Sequence, residues 1–292
     1  MFSMATQLFI NGLAIGAIYA MVGLGIALIF RAVQAVNFAQ GEFVVFGGFF
    51  AITFFSTIGL PVWLSIICGV LATMIMGYIF QRLVYVPLQR STSITIVVAT
   101  MGVSIALTDS SRIIWGAAPR LFPEILGSTV IAIGDLYVVP QNLVILVAAL
   151  ILFITQYILF ERTFLGMQMQ AVAQDKETAA LMGIKVNRMI AITFLYSSGL
   201  AAIAGILVAP ITYIWSTMGS GLVQKAFVAT IVGGFGSVPG AILGGLFVGV
   251  VETLCGGFIS STYQDAFAFI ILIIVLIVRP MGFFGEETMD KA

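Results

Sequence analysis

The chain has 292 residues, of which 61% are hydrophobic and 8% charged, where an average soluble domain carries about 25% charged side chains. Twelve Lys and Arg balance twelve Asp and Glu, which excludes an ordinary water-soluble domain and leaves no basic surface for nucleic acid. With no His, and with only Cys68 and Cys255, both in apolar stretches, there is no metal constellation, disulfide framework or cofactor site.

A spanning helix needs roughly 20 apolar residues, so about nine would use roughly 180 positions, close to the observed apolar content. Residues 1–30 contain no Lys or Arg, which a cleaved signal peptide needs before its apolar core; the first span is therefore placed at 8–30 as a retained helix. Residues 43–81 are also charge-free, and Pro61 divides them into spans at 43–58 and 61–80. The fourth span is 93–108. A polar loop follows, with Asp109, Arg112, Pro119, Arg120, Pro123, Glu124 and Asp135. Spans five and six are 139–160 and 189–208. Beyond them come a short apolar piece at 226–232, a Gly-rich turn, and spans at 240–254 and 267–278. The expectation is an all-α polytopic transmembrane helix bundle of about nine spans, the seventh short or re-entrant, forming a single membrane domain over 1–292.

Lys and Arg concentrate in cytoplasmic loops. With the N-terminus outside and the C-terminus inside, the inner segments hold nine of the twelve: Arg31, Arg82, Arg90, Arg162, Lys176, Lys185, Arg188, Arg279 and Lys291. Gly12/Gly16, Gly240/Gly244 and Gly245/Gly249 repeat the small-xxx-small spacing by which helices pack closely in lipid. Trp63, Trp115 and Trp215 fall at outer span ends, as interfacial anchors do.

The largest inner segment, 161–188, holds seven charges. Asp175 suits a helix N-cap, Glu177 the first turn and Gly183 a left-handed exit, giving a helix of about seven residues. Thr178, Leu181 and Met182 share one face. A helix this short is unstable alone and must dock on something; the pattern leaves open whether that is a partner protein or the lipid surface. Asn37, Gln40 and Glu42 interrupt an apolar region and read either as plain inner loop or as polar lining of a path through the bundle. Glu252 lies about 18 Å along its helix from Gly240. It reads as a headgroup-facing carboxylate or as an interior one paired with Lys225.

Glu177-Thr178-Ala179-Ala180-Leu181-Met182-Gly183 resembles the EAA-xxx-G loop of permease subunits in ATP-binding-cassette importers, with Thr178 in place of the first Ala. Five further stretches narrow the resemblance: Asn37-Phe38-Ala39-Gln40-Gly41-Glu42, Lys225-Ala226-Phe227, the run from Gly233-Gly234-Phe235-Gly236 through Ser237-Val238-Pro239-Gly240-Ala241, Asp265-Ala266-Phe267-Ala268-Phe269, and Arg279-Pro280-Met281-Gly282. In this order they are similar to the branched-chain amino-acid permeases of high-affinity uptake systems, whose near relatives carry urea or short amides. A departure is Gln40, where many members have His.

The resemblance implies a type II-like importer permease of the bacterial inner membrane. Its coupling loop is 161–188, with Asp175, Glu177, Thr178, Ala179, Leu181, Met182 and Gly183 at the ATPase. Read from the residues themselves, as polar groups within apolar windows, the path candidates are Asn37, Gln40, Glu42, Lys225 and Glu252. The implied partners are a homologous second permease subunit, two ATP-binding-cassette ATPases and an extracytoplasmic substrate-binding protein. The chain is not expected to be an enzyme, since no Gly-Lys dipeptide and hence no Walker loop occurs. Gly234-x-Gly236-x-x-x-Gly240 has the wrong spacing for a dinucleotide fingerprint and reads as a turn, with Pro239 opening the next helix. The alternatives are a urea or short-amide permease, and an ion-coupled secondary transporter, for which no inverted repeat is visible.

Overall fold

The computed structural model describes residues 2–124, 127, 131–133 and 136–285; Asp135 and Lys291 lie outside them. In chain order the described residues form α1 (Phe2–Val33), α2 (Gln40–Ser56), α3 (Val62–Phe80), a π-helical turn (Gln81–Tyr85) running into α4 (Val86–Leu88), and α5 (Ser93–Trp115). A two-stranded antiparallel hairpin follows, β1 (Ile131–Ile133) with β2 (Leu136–Val138), Ala132 opposite Tyr137. Then come α6 (Pro140–Arg162), α7 (Phe164–Gln174), α8 (Lys176–Leu181), α9 (Val186–Thr212), α10 (Met218–Gly233), α11 (Val238–Phe258) and α12 (Gln264–Val278).

Each apolar stretch read from the sequence falls on a helix. Among the described residues six segments are long and apolar enough to cross a membrane: α1, the run from α3 to α4, α5, α6, α9 and α11; α2 and α12 are apolar but shorter. The chain is thus a polytopic helical membrane protein. α1 and α9 are mostly buried and form the centre, whereas α3, α5 and α6 expose most of their apolar surface, as suits helices whose outer solvent is lipid.

Several boundaries correct the sequence reading, for one physical reason: a charge that reaches a partner or solvent does not end a helix. α5 continues through Asp109 and Arg112, paired at 3.5 Å on an exposed face, to Trp115, so 109–115 is helix rather than loop. α10 is no short apolar piece at 226–232 but a sixteen-residue helix from Met218 that carries Lys225, whose charge is met by two carboxylates. Trp115 is another correction. Its ring stacks on Phe49 at 5.0 Å and its indole N–H donates to Thr53 Oγ1 at 2.7 Å, so it is a buried tie between α5 and α2 instead of an exposed anchor.

Close backbone approach sets the packing. Gly12 and Gly16 of α1 lie against Gly245 to Val250 of α11; a Cβ on Gly16 would stand 2.8 Å from the Gly245 carbonyl and 2.9 Å from Leu246 Cα. Gly244 fits α10 at Ala229 and Gly233, and Gly41 at the start of α2 meets Gly219 at the start of α10. In lipid, where apolar burial does not favour helix association, such contacts supply dispersion. The turn before α11 follows the expected chemistry: Ser237 Oγ accepts from Gly240 N–H, with Pro239 in the first turn. At the end of α3 the chain widens into the π turn, with Val86 N–H donating to Gln81 O, just before Pro87, which has no N–H to offer. The Arg279–Gly282 stretch leads the chain back under α10, where Phe283 and Phe284 N–H donate to the Val232 and Gly233 carbonyls at 3.0 and 2.8 Å.

Candidate functional site

Two polar assemblies stand out, at opposite ends of α9. At its base lies α8. Asp175, in extended backbone, accepts from the amides of Glu177 at 2.9 Å and Thr178 at 3.3 Å and from the Thr178 hydroxyl at 2.6 Å. These bonds, the Thr178 hydroxyl foremost, hold its carboxyl below the usual carboxylate range. At the other end Gly183 (φ +83°) takes the left-handed conformation. Its N–H donates to Ala180 O and the Ile184 N–H to Ala179 O, both at 3.0 Å, the paired bonds of a Schellman ending.

Both terminal signals are therefore as expected, and α8 is six residues long. Ala179 is buried toward the bundle and Lys176 is half-buried, its pKa lowered by desolvation. Glu177 and Thr178 face outward, and Leu181 and Met182 are 86% and 79% exposed. An apolar face of a helix too short to stand alone is thus left uncovered by the other described residues.

At the far end is an ion cluster. Lys225 Nζ on α10 lies 2.6 Å from Glu252 Oε1 on α11 and 2.6 Å from Asp265 Oδ1 on α12. The Tyr19 hydroxyl of α1 donates to the same Glu252 oxygen at 3.4 Å, and Gln264 Nε2 approaches it at 3.5 Å. Lys225 Nζ also sits 5.8 Å from the Tyr19 ring centroid. Glu252 is 1% exposed, an interior carboxylate paired with Lys225, not one facing outward. The cluster borders a cavity of about 460 Å³ walled by α1, the end of α9 and the starts of α10 and α12.

Asn37, Gln40 and Glu42 form a separate buried group at the start of α2, all below 3% exposure. Gln40 Nε2 donates to Ser197 O at 3.1 Å, Glu42 Oε1 accepts from Ser104 at 3.1 Å, and Asn37 Oδ1 accepts from Ala39 N–H at 3.1 Å. The fold does not bring them to the Lys225 cluster, although the Phe38 and Phe227 rings touch between the two regions, 5.9 Å apart. Sequence reasoning missed Asp265, Tyr19 and Gln264. Asp265 was legible as an acid in the first turn of the last helix, on the same side as Lys225 and Glu252. Among the described residues no group of three His, Cys, Asp or Glu is placed to hold a metal ion.

The model of one protein family, described as branched-chain amino acid transport system / permease component, matches residues 8–276. The chain is 31% identical to the high-affinity branched-chain amino acid transport system permease protein LivH of Salmonella typhimurium, covering 98% of this chain and 97% of that one. It is 30% identical to the permease protein BraD of the corresponding system in Pseudomonas aeruginosa, with the same coverage. Among solved structures, PsaBC from Streptococcus pneumoniae in complex with Fab superposes with a TM-score of 0.54 at 17% identity, covering 94% of this chain and 92% of that one. That likeness concerns the fold.

Proposed function

The chain belongs to the branched-chain amino acid transport permease family, a transport component of the inner membrane, and on that premise we propose that it is the translocating subunit of an ATP-driven importer. Its cargo is a branched-chain or related amino acid delivered by an extracytoplasmic binding protein. ATP is hydrolysed by two separate ATP-binding-cassette subunits, and a homologous second permease completes the pore. In this reading the chain is one membrane domain of nine crossings with a type II-like arrangement, the N-terminus outside and 161–188 inside.

The observation that carries the proposal is α8. It is capped at both ends, and Leu181 and Met182 project into solvent beside Glu177, which suits insertion into a groove on an ATPase. Asp175, Glu177, Thr178, Ala179, Leu181, Met182 and Gly183 are the coupling residues. Asn37, Gln40, Glu42, Lys225 and Glu252 are the path candidates, polar groups at depth for a zwitterion that carries no net charge. The test is reconstitution in liposomes of this chain with the second permease, the ATPases and the binding protein. Leucine uptake should require both ATP and loaded binding protein, and the lone chain should hydrolyse nothing. Uptake driven by an ion gradient without ATP would overturn the proposal.

A further inference from the structure

The geometry points to the cavity at Lys225, Glu252 and Asp265 as a binding site for the paired ammonium and carboxylate of an amino acid, with the two acids receiving the ammonium and Lys225 the carboxylate. The inference rests on the import reading above and adds to it a recognition site within the membrane chain itself.

Three observations carry it. The cluster has two carboxylates for one ammonium, and Lys225, Tyr19 and Gln264 all converge on Oε1 of Glu252. Its Oε2 is buried with no hydrogen-bond partner among the described residues, an acceptor that a buried site normally supplies with a donor. Second, the charges are graded in depth: the side chains of Glu252, Lys225 and Asp265 are 1%, 16% and 76% exposed, so an entering ammonium meets a rim acid before the floor acid. Third, the cavity of about 460 Å³ lies in the ordinary range for small-molecule sites, and Ile15, Ile18, Met218 and Leu222 give it apolar walls suited to an aliphatic side chain.

Opposite charges in direct contact match a ligand whose own opposite charges sit on one carbon. Such a ligand inserts into the Lys225 pairs and replaces each charge contact it breaks. Urea or a short amide opens the same pairs without replacing their charge.

The experiment uses the assembled complex, with Cys68→Ala and Cys255→Ala in this chain and a single reporter, Ser220→Cys, on the exposed cavity wall; Thr217→Cys is a second reporter. The readout is the rate of thiol labelling by a small methanethiosulfonate. Leucine should slow labelling about threefold or more, whereas 4-methylpentanoate, leucine methyl ester and urea should not. Asp265→Asn, at the exposed rim, should raise the leucine concentration for half protection by about tenfold. Protection by leucine no greater than by the acid, the ester or urea, or an Asp265→Asn complex protected as well as its parent, overturns the site. Labelled leucine uptake by the same complexes separates the two readings: uptake without protection removes the site and leaves the import reading, while absence of amino-acid uptake removes both.

Discussion

A Cβ on Gly249 of α11 would overlap the Cα and the amide nitrogen of Gly16 on α1. Two helices therefore touch backbone to backbone at this point, and no rotamer change can make room there. The long central helix is fixed against the helix that carries Glu252 by atoms the sequence cannot vary.

Gly249→Val is expected to destabilise the bundle by about 2–3 kcal/mol, the range for overpacking that side chains cannot relieve, seen as a lowered melting temperature in detergent. Gly102→Ala is the control. No described residue lies within 4 Å of a Cβ at that helical position, so Ala should leave stability unchanged or raise it by about 0.5–1 kcal/mol.

The cap of α8 has a defined pH window. The Asp175 carboxyl is held below its ordinary value by the Thr178 hydroxyl and the Thr178 and Glu177 amides. Its contribution is fully present above the unfolded pKa of about 3.9 and is lost as pH falls through the lower folded value. Hydrogen exchange over 176–184, corrected for intrinsic rate, should be constant from about pH 5 to 8 and rise only in stronger acid. Asp175→Asn, a cap that does not titrate, should remove that acid-side rise. Asp175→Ala should raise exchange at every pH.

Gly183 separates coupling from folding. No described residue lies within 4 Å of a Cβ on its left-handed backbone, so Gly183→Val adds backbone strain of about 1–2 kcal/mol without a clash among them. The protein should reach the membrane at normal levels, with uptake lowered and ATPase activity unresponsive to loaded binding protein. Gly183→Asn, which tolerates this conformation, should restore both. Glu177→Lys should give the Val phenotype by reversing an exposed charge at the helix start. Parental uptake and stimulation in Glu177→Lys would assign α8 to the lipid surface instead.

Orientation is tested from the two ends of the bundle. In a chain lacking Cys68 and Cys255, Ser261→Cys in the turn before α12 should react with an impermeant thiol reagent in intact cells. Leu181→Cys, 86% exposed on α8, should react only after permeabilisation. The opposite pattern would invert the topology.

Most helices were legible because an unpaired charge at depth is costly, so charge-free windows mark the interior of a span. The same rule failed wherever a charge was not alone. The apolar window 226–232 stops at Lys225, yet Glu252 and Asp265 keep that lysine inside α10; Glu252 is readable as one partner, but Asp265, 40 positions away, lies beyond any local window. The caps at Asp175 and Gly183 were readable because each depends on backbone within three residues of itself. Trp115 was misread because an aromatic at a span end suits the interface or the core equally, and only Phe49 and Thr53 decide between them. Gln40 and Glu42 stayed ambiguous for a related reason: their partners Ser197 and Ser104 belong to other helices.

Beside α8 begins α9, one helix of 27 residues from Val186 to Thr212, about 40 Å long. Its first residues follow directly on the Gly183 turn, and Val208 and Thr212 line the cavity next to Lys225. Seen mechanically, this is a rod with one end at the base of the protein and the other in the cavity wall. A tilt of about 5° at the base would carry the far end about 3.5 Å, farther than the 2.6 Å that separates Lys225 from either acid.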